Sequence, residues 1–260
     1  MATDNIISAL KSCYHAGWEI VIPIDATDDE VSAVSNFVEA QGENICFLNG
    51  TDISKFAPLA SNNRTAGWSL PQDDENGNVL AASVVGRVGS LTVGGYDWAN
   101  LTGLADVTPQ DRLGFQQGQM TPYSQANVNT YYYAEGTPLT SGGKMLGGQF
   151  IDILQGVDWI VKHGRKALVE ARAKNPKLPF DAIGINVLRS ALEGVCSTAS
   201  ENGIAAMDDT TNKTTAKVSA LSRDNLSATD VKNRLYNGLS IEYTPASSID
   251  GGTVQIIMDL

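Results

Sequence analysis

Residues 147–206 read GGQFIDILQGVDWIVKHGRKALVEARAKNPKLPFDAIGINVLRSALEGVCSTASENGIAA. Phe150, Ile153, Leu154, Val157, Ile160, Val161 and Leu168 recur at three- and four-residue steps, which puts them along one side of a helix. Arg165, Lys166, Arg172 and Lys174 gather toward its far end, where cations suit the negative pole of the helix dipole. Pro176 marks the stop. Asp181 can cap a second helix whose apolar stripe is Ile185, Leu188, Leu192, Val195 and Ala199. Asn202-Gly203 ends it, because a left-handed residue is needed there and glycine takes that conformation without penalty. The short connection predicts two antiparallel neighbours. The block holds no reactive centre; helical packing is its evident job.

Working outward, the first third alternates helix and strand. Ile6, Ile7, Leu10, Cys13 and Tyr14 fit an amphipathic helix, and Trp18–Ile24 a buried strand. Thr27-Asp28-Asp29-Glu30 is a capping box opening a helix through Val31, Val34, Phe37 and Val38 to Gly42. Strands follow at 45–48 and 66–70, with helices near 53–60 and 79–88. Strands separated by helices of this length predict βαβ units and a parallel sheet.

The middle, 88–148, is rich in Gly, Thr, Asn and Gln. Its clearest pattern is a strand over 126–133, followed by turn punctuation at Gly136, Pro138 and Gly142-Gly143. After the helical pair come a polar loop (208–215), a strand at 217–221, and a short helix capped by Ser227 that runs through Arg234. Leu239, Ile241 and Tyr243 alternate along a further strand. Asp250-Gly251-Gly252 is a turn signal before a last strand, 253–260. The expected class is α/β: a βαβ-type core sheet flanked by helices, with a long helical pair and a C-terminal strand hairpin or arm. The expected division is a core over 1–245 and a C-terminal strand segment over 246–260.

Composition narrows the function. Hydrophobic residues at 42% and charged residues at 18% of 260 fit a globular chain. A formal net charge of −11 argues against broad nucleic-acid binding, which needs clustered cations. No apolar run is long enough to span a membrane, and the N-terminus lacks the basic and apolar regions of a cleaved signal. Cys13, Cys46 and Cys196 are far apart, which predicts reduced and mostly buried thiols.

Catalytic patterns are missing. There is no Gly-x-Ser-x-Gly elbow. Gly142-Gly143-Lys144 fails the phosphate-loop spacing, with Met145 where a hydroxyl is required, and Gly86-Arg87-Val88-Gly89 is too short for a dinucleotide fingerprint. His15 and His163 are the only histidines and read as surface or capping residues. Asp28-Asp29, Asp73-Asp74 and Asp208-Asp209 lack calcium-loop spacing and read as turn or helix-start carboxylates. Trp98, Trp159 and Tyr131–Tyr133 read as packing aromatics. No catalytic, cofactor or metal residue is expected.

The order of several short motifs carries a resemblance. These are Asn129-Thr130-Tyr131-Tyr132 with its Gly-rich sequel, Gly147-Gly148-Gln149-Phe150-Ile151-Asp152, Val157-Asp158-Trp159-Ile160, Pro179-Phe180-Asp181-Ala182-Ile183-Gly184 and Asn202-Gly203-Ile204. The opening Trp18–Pro23 and the close after Arg234 add to it. Together they resemble contractile bacteriophage tail-sheath proteins, in the branch described only as DUF3383-type tail proteins.

The resemblance implies a structural, non-enzymatic virion subunit made in the host cytoplasm. Such subunits stack as rings of identical copies around a tail tube protein, between the baseplate and a tail terminator, and contract to drive the tube into the host. The resemblance supplies no catalytic residues. Family members are usually longer, with an N-terminal portion bearing an arm, whereas this chain begins almost at the core: it is either a C-terminal part of a longer protein or a short homologue that lost or splits the arm. A terminal strand is an edge that needs a partner. We expect Val254, Ile256 and Met258 to face one way into a neighbour's sheet. The alternative is pairing within the same subunit against 239–244. Two other classes remain open, a tail or baseplate adaptor on the same core and an α/β enzyme with a polar pocket beyond its strand ends.

Overall fold

The computed structural model describes residues 2–70, 79–110 and 117–250. The chain divides into two compact units. One holds the residues up to Leu91, Tyr96–Asp152, and Ile249 with Asp250; the other holds Thr92–Gly95 and Ile153–Ser248.

The first unit opens with α1 (Ala2–Cys13), β1 (Ile20–Val21), α2 (Asp28–Gln41), β2 (Ile45–Gly50) and β3 (Thr65–Ser69). Thr27 and Glu30 form the reciprocal capping box, with the Thr27 amide donating to Glu30 Oε2 at 2.9 Å. β1, β2 and β3 pair in that order and all in parallel, through Ile20↔Ile45 and Cys46↔Thr65. The mixed α/β class and the parallel βαβ sheet are thus present. β1 is shorter than the strand expected over 18–24. The segment Ile53–Leu59 is a 3-10 helix with Pro58 inside it, since proline lacks the donor a regular helix would use.

The core of this unit lies between α2 and the sheet, where Val34, Val38, Cys46, Leu48, Phe56 and Leu59 pack together. On the other side the Phe47, Trp68 and Trp98 side chains are all fully buried, with the Phe47 and Trp98 rings 4.8 Å apart. Trp98 is accordingly a core residue, as its sequence context suggested.

α3 (Leu80–Val88), α4 (Gln117–Ala126), β4 (Tyr131–Ala134) and β5 (Thr137–Thr140) complete the unit. The strand expected over 126–133 is divided. Ala126 ends α4, residues 128–130 run beside β3, and β4 begins only at Tyr131. Asn129 accepts from the Ser69 amide at 2.9 Å and donates its own amide to Gly67 O at 2.8 Å. Glu135 (φ 48) and Gly136 (φ 84) are both left-handed, the conformation of a two-residue hairpin turn between β4 and β5. Pro138 lies inside β5 opposite Tyr133, so it is a strand residue rather than turn punctuation.

The second unit is built on the helical pair within residues 147–206. α5 (Ile151–Lys174) starts at the division between the units, and α6 (Ala182–Glu201) is capped by Asp181 Oδ1, which accepts from Ile183 N at 2.9 Å and Gly184 N at 3.2 Å. Gly203 (φ 82) ends α6 in the left-handed conformation. Ile160 shares a cluster with Cys196 and Ala199, and a Cβ on Gly164 would lie 3.4 Å from Leu192 Cδ2. Moving forward along α5 thus meets earlier residues of α6, the antiparallel order expected.

The buried line of α5 differs from the expected stripe. Ile151, Gln155, Ile160, Gly164 and Ala171 are buried, while Phe150, Val157 and Val161 are 38%, 39% and 44% exposed. The close contact falls at Gly164, where the absence of a side chain lets Leu192 approach. Of the expected stripe, Ile160 sits in the contact, while Phe150, Val157 and Val161 lie outside it.

β6 (Met207–Asp208) and β7 (Lys213–Thr214) form a small hairpin inside the stretch expected as a polar loop. β8 (Lys217–Ala220), α7 (Ala228–Lys232) and β9 (Leu239–Glu242) follow, with Ser227 capping α7 through the Asp230 amide at 3.0 Å. β8 and β9 are antiparallel, from Lys217↔Glu242 to Ala220↔Leu239. All three cysteines are free; Cys46 and Cys196 are buried as expected, but Cys13 is exposed at the end of α1.

Candidate assembly surface

Val254, Ile256 and Met258 lie outside the described residues. The structure does place β9, the strand that pairing within the same subunit would use. Along β9, Leu239 and Ile241 are half-buried and Ser240 and Glu242 exposed. Ile241, Val218 and Tyr243 pack on the Ile160–Cys196 cluster. Among the described residues β9 pairs with β8 alone, leaving its second edge without a strand.

Past β9 the backbone pairs elsewhere. Ala206 N donates to Thr244 O at 2.8 Å and Ala246 N to Ile204 O at 3.0 Å. The chain therefore leaves this unit along the segment that follows α6.

Beside the start of β9 is a cleft of about 470 Å³, lined by Leu168, Pro179, Phe180, Leu188, Tyr236 and Leu239. Phe180 and Tyr236 meet edge to face at 5.9 Å, and the Tyr236 hydroxyl donates to Leu221 O at 2.7 Å. Burial pushes that hydroxyl above its ordinary pKa. Arg172 and Arg234 also line the cleft, so it is apolar with cations at hand. It holds no carboxylate, histidine or thiol suited to acid–base or nucleophilic chemistry.

The remaining sequence candidates fall into structural roles. His163 Nδ1 is 2.8 Å from Trp159 O one turn back, and the two rings stack at 3.9 Å. His15 sits in a 3-10 turn, edge-on to Tyr14. Asp28 is exposed, 3.9 Å from Lys55. Asp208 Oδ1 accepts from Thr211 N at 2.7 Å and from Thr210 N at 3.0 Å. Hydrogen bonds from Thr211 lead in holding its carboxyl below the usual value. Asp73 and Asp74 lie outside the described residues. Among the described residues no three His, Cys, Asp or Glu side chains converge to hold a metal ion, and no helix is long and apolar enough to cross a membrane.

The Gly142-Gly143-Lys144 turn is not free to cradle a phosphate. Asn129 Oδ1 accepts the Lys144 amide at 2.9 Å, and the Lys144 ammonium sits 5.1 Å from the centre of the Phe150 ring.

Close to this turn is a carboxyl pair that sequence reasoning missed. Asp97 Oδ1 accepts the Ala99 amide at 3.2 Å, while Asp97 Oδ2 is buried without a hydrogen-bond partner. The carboxyl of Asp250 lies against Asp97, within the field of Asp152 and Lys144. No local pattern joins positions so distant in sequence.

No protein-family model matches the chain, and no curated protein matches it. Among solved structures it is similar to a chain of the anti-feeding prophage baseplate, determined by cryo-EM with 6-fold symmetrisation. The identity is 13% and the TM-score 0.70, over 97% of this chain and 72% of that one. A sheath tail protein from Listeria innocua aligns at 14% identity and a TM-score of 0.44, over 86% of this chain and 58% of that one. The first likeness is one of fold; the second is too loose to add to it.

Proposed function

We propose that this chain is a structural subunit of a contractile phage-type tail, and within it a subunit of the sheath. The observation that carries the first part is the shared fold, over 97% of the chain, with a component of a baseplate. The sheath assignment, and its DUF3383-type branch, rest on the ordered motifs from Asn129-Thr130-Tyr131 to Asn202-Gly203-Ile204.

In this reading residues 1–245 are the core and 246–260 the link. Val254, Ile256 and Met258 of one subunit face into the sheet of the next, and the open edge of β9 is the acceptor. Main-chain hydrogen bonds then join subunits whatever the side chains on the exposed face, as in strand addition generally. A link of this kind lets rigid cores slide and rotate while the array stays connected. The partners are further copies of the chain, the tail tube protein, the baseplate and the terminator, in the virion tail. The role needs no catalysis and no cofactor.

Negative-stain microscopy of the purified protein tests this. Tubes are expected, and deletion of residues 253–260 is expected to abolish them. A second reading, a baseplate adaptor, is favoured by the fold likeness to a baseplate chain. It predicts closed rings of fixed low copy number.

A further inference from the structure

The cleft of about 470 Å³ beside β9 is lined by the end of α5, the start of α6 and residues 234–239. Its apolar walls are half-buried: Leu168, Leu178, Phe180, Leu188, Tyr236 and Leu239 each keep part of their surface in water. The volume falls within the range of ligand sites, about 300–1,000 Å³, and is ample for one large aliphatic side chain.

Two guanidiniums share this lining. Arg172 belongs to the last turn of α5, and Arg234 follows α7. Neighbouring cations have carboxylates beside them: Lys166 and Lys174 have Glu170 at 3.9 and 3.7 Å, and Arg189 has Glu193 at 3.4 Å. Among the described residues Arg172 and Arg234 have no ion-pair partner.

Arg234 is also held in an unusual backbone. Its amide donates to Val231 O at 3.1 Å, the Leu235 amide donates to Asp230 O at 2.9 Å, and Arg234 takes φ 56. Glycine is the usual residue at that point of a helix end, because a Cβ is strained there. An arginine kept in that conformation, at an apolar cleft and without a carboxylate, fits a group reserved for a ligand.

The cleft is thus complementary to an apolar side chain next to a negative charge. The chain itself carries such a pair. Ile249 is 90% exposed, the highest value for a large apolar side chain among the described residues, and the exposed Asp250 follows it. Beyond Ala246, whose amide donates to Ile204 O at 3.0 Å, residues 247–250 are exposed and form no helix or strand.

We propose that the cleft of one copy receives Ile249 of a second copy, with Asp250 of that copy on Arg172 and Arg234. The seat and its occupant are different patches of one surface, so the contact runs head to tail and builds rings or helices rather than closed two-fold dimers. Each contact is small and gains strength by repetition along an array. It goes beyond the strand link, since it uses side chains, and it holds in a sheath or in a baseplate ring.

Fluorescence anisotropy of a labelled peptide of residues 243–250, titrated with the full chain, tests this. Saturation is expected with a Kd below about 1 mM. Ile249→Ala in the peptide should weaken binding by about tenfold, and Arg172→Ala in the protein by about threefold. Arg234→Gly should weaken it as much without lowering the melting temperature, because glycine accepts the left-handed backbone. An arginine with only a structural role would show the reverse. An Asp250→Lys peptide should prefer the Arg172→Glu, Arg234→Glu double variant to the unmodified chain. A peptide of residues 20–27 carries the exposed Ile24 before Asp25 and is the rival occupant. Equal binding of that peptide, a Kd above about 1 mM, or binding indifferent to both arginines would overturn the proposal.

Discussion

Asn129 and Lys144 clasp each other in both directions: the Asn129 side chain accepts the Lys144 amide at 2.9 Å and donates to the Lys144 carbonyl at 2.7 Å. The same amide group donates its second hydrogen to Gly67 O at 3.1 Å, so one buried side chain joins the strand following α4, β3 and the Gly142-Gly143 turn. Replacing Asn129 by Ala strands a backbone N–H in the interior and removes bonds from two carbonyls, a loss of about 3 kcal/mol. Asn129→Asp fails too, because a carboxylate presents no donor to the two carbonyls. Urea denaturation should show a lower midpoint with an unchanged slope for both variants.

The capping box of α2 gives a pH dependence of known sign. Hydrogen bonds from the Thr27 amide and hydroxyl hold the Glu30 carboxyl below its ordinary 4.5. A depressed folded pKa contributes stability that is present above 4.5 and lost as pH falls through the folded value. Thermal melts of Glu30→Gln and the unmodified chain should therefore differ at neutral pH and converge in acid. Thr27→Ala should cost about 1 kcal/mol at neutral pH.

Two glycines of α6 should respond to alanine with opposite signs. A methyl on Gly184 would overlap the Pro179 carbonyl, whereas one on Gly194 meets nothing within 4 Å. Gly194→Ala gains the helical preference of alanine and should stabilise by about 0.5–1 kcal/mol. Gly184→Ala must displace the chain entering the helix and should lower the melting temperature.

Thiol labelling should sort the cysteines. Cys13 is exposed, while Cys46 is buried and its thiol is pushed upward by burial alone. A maleimide should modify Cys13 in the native protein, and Cys46 and Cys196 only after denaturation.

Much of the fold was legible because its signals are local. The Thr27 box, the Asp181 and Ser227 caps and the Gly203 stop each depend on residues within one turn, and each stands where the pattern put it. The parallel sheet followed from the helix lengths between short apolar runs. Periodicity could not say which side of α5 is buried, because Gly164 takes the close contact with Leu192 and Ala171 is buried, while Val157 and Val161 stay exposed. Asn129 looked like one residue of a strand, yet its clasp of Lys144 is made across a turn that no short window contains. The Asp97–Asp250 contact is longer in range still. Of the candidate surface, the alternation along β9 was readable, and the half-buried cleft beside it was not, since its lining comes from three separate stretches.

The claim that this is a subunit of a contractile sheath stands or falls on self-assembly. Negative-stain microscopy of the full chain at neutral pH, beside the variant lacking residues 253–260, measures it. The account predicts uniform helical tubes from the full chain and dispersed particles from the variant. Dispersed particles or closed rings of one fixed size from the full chain would contradict it.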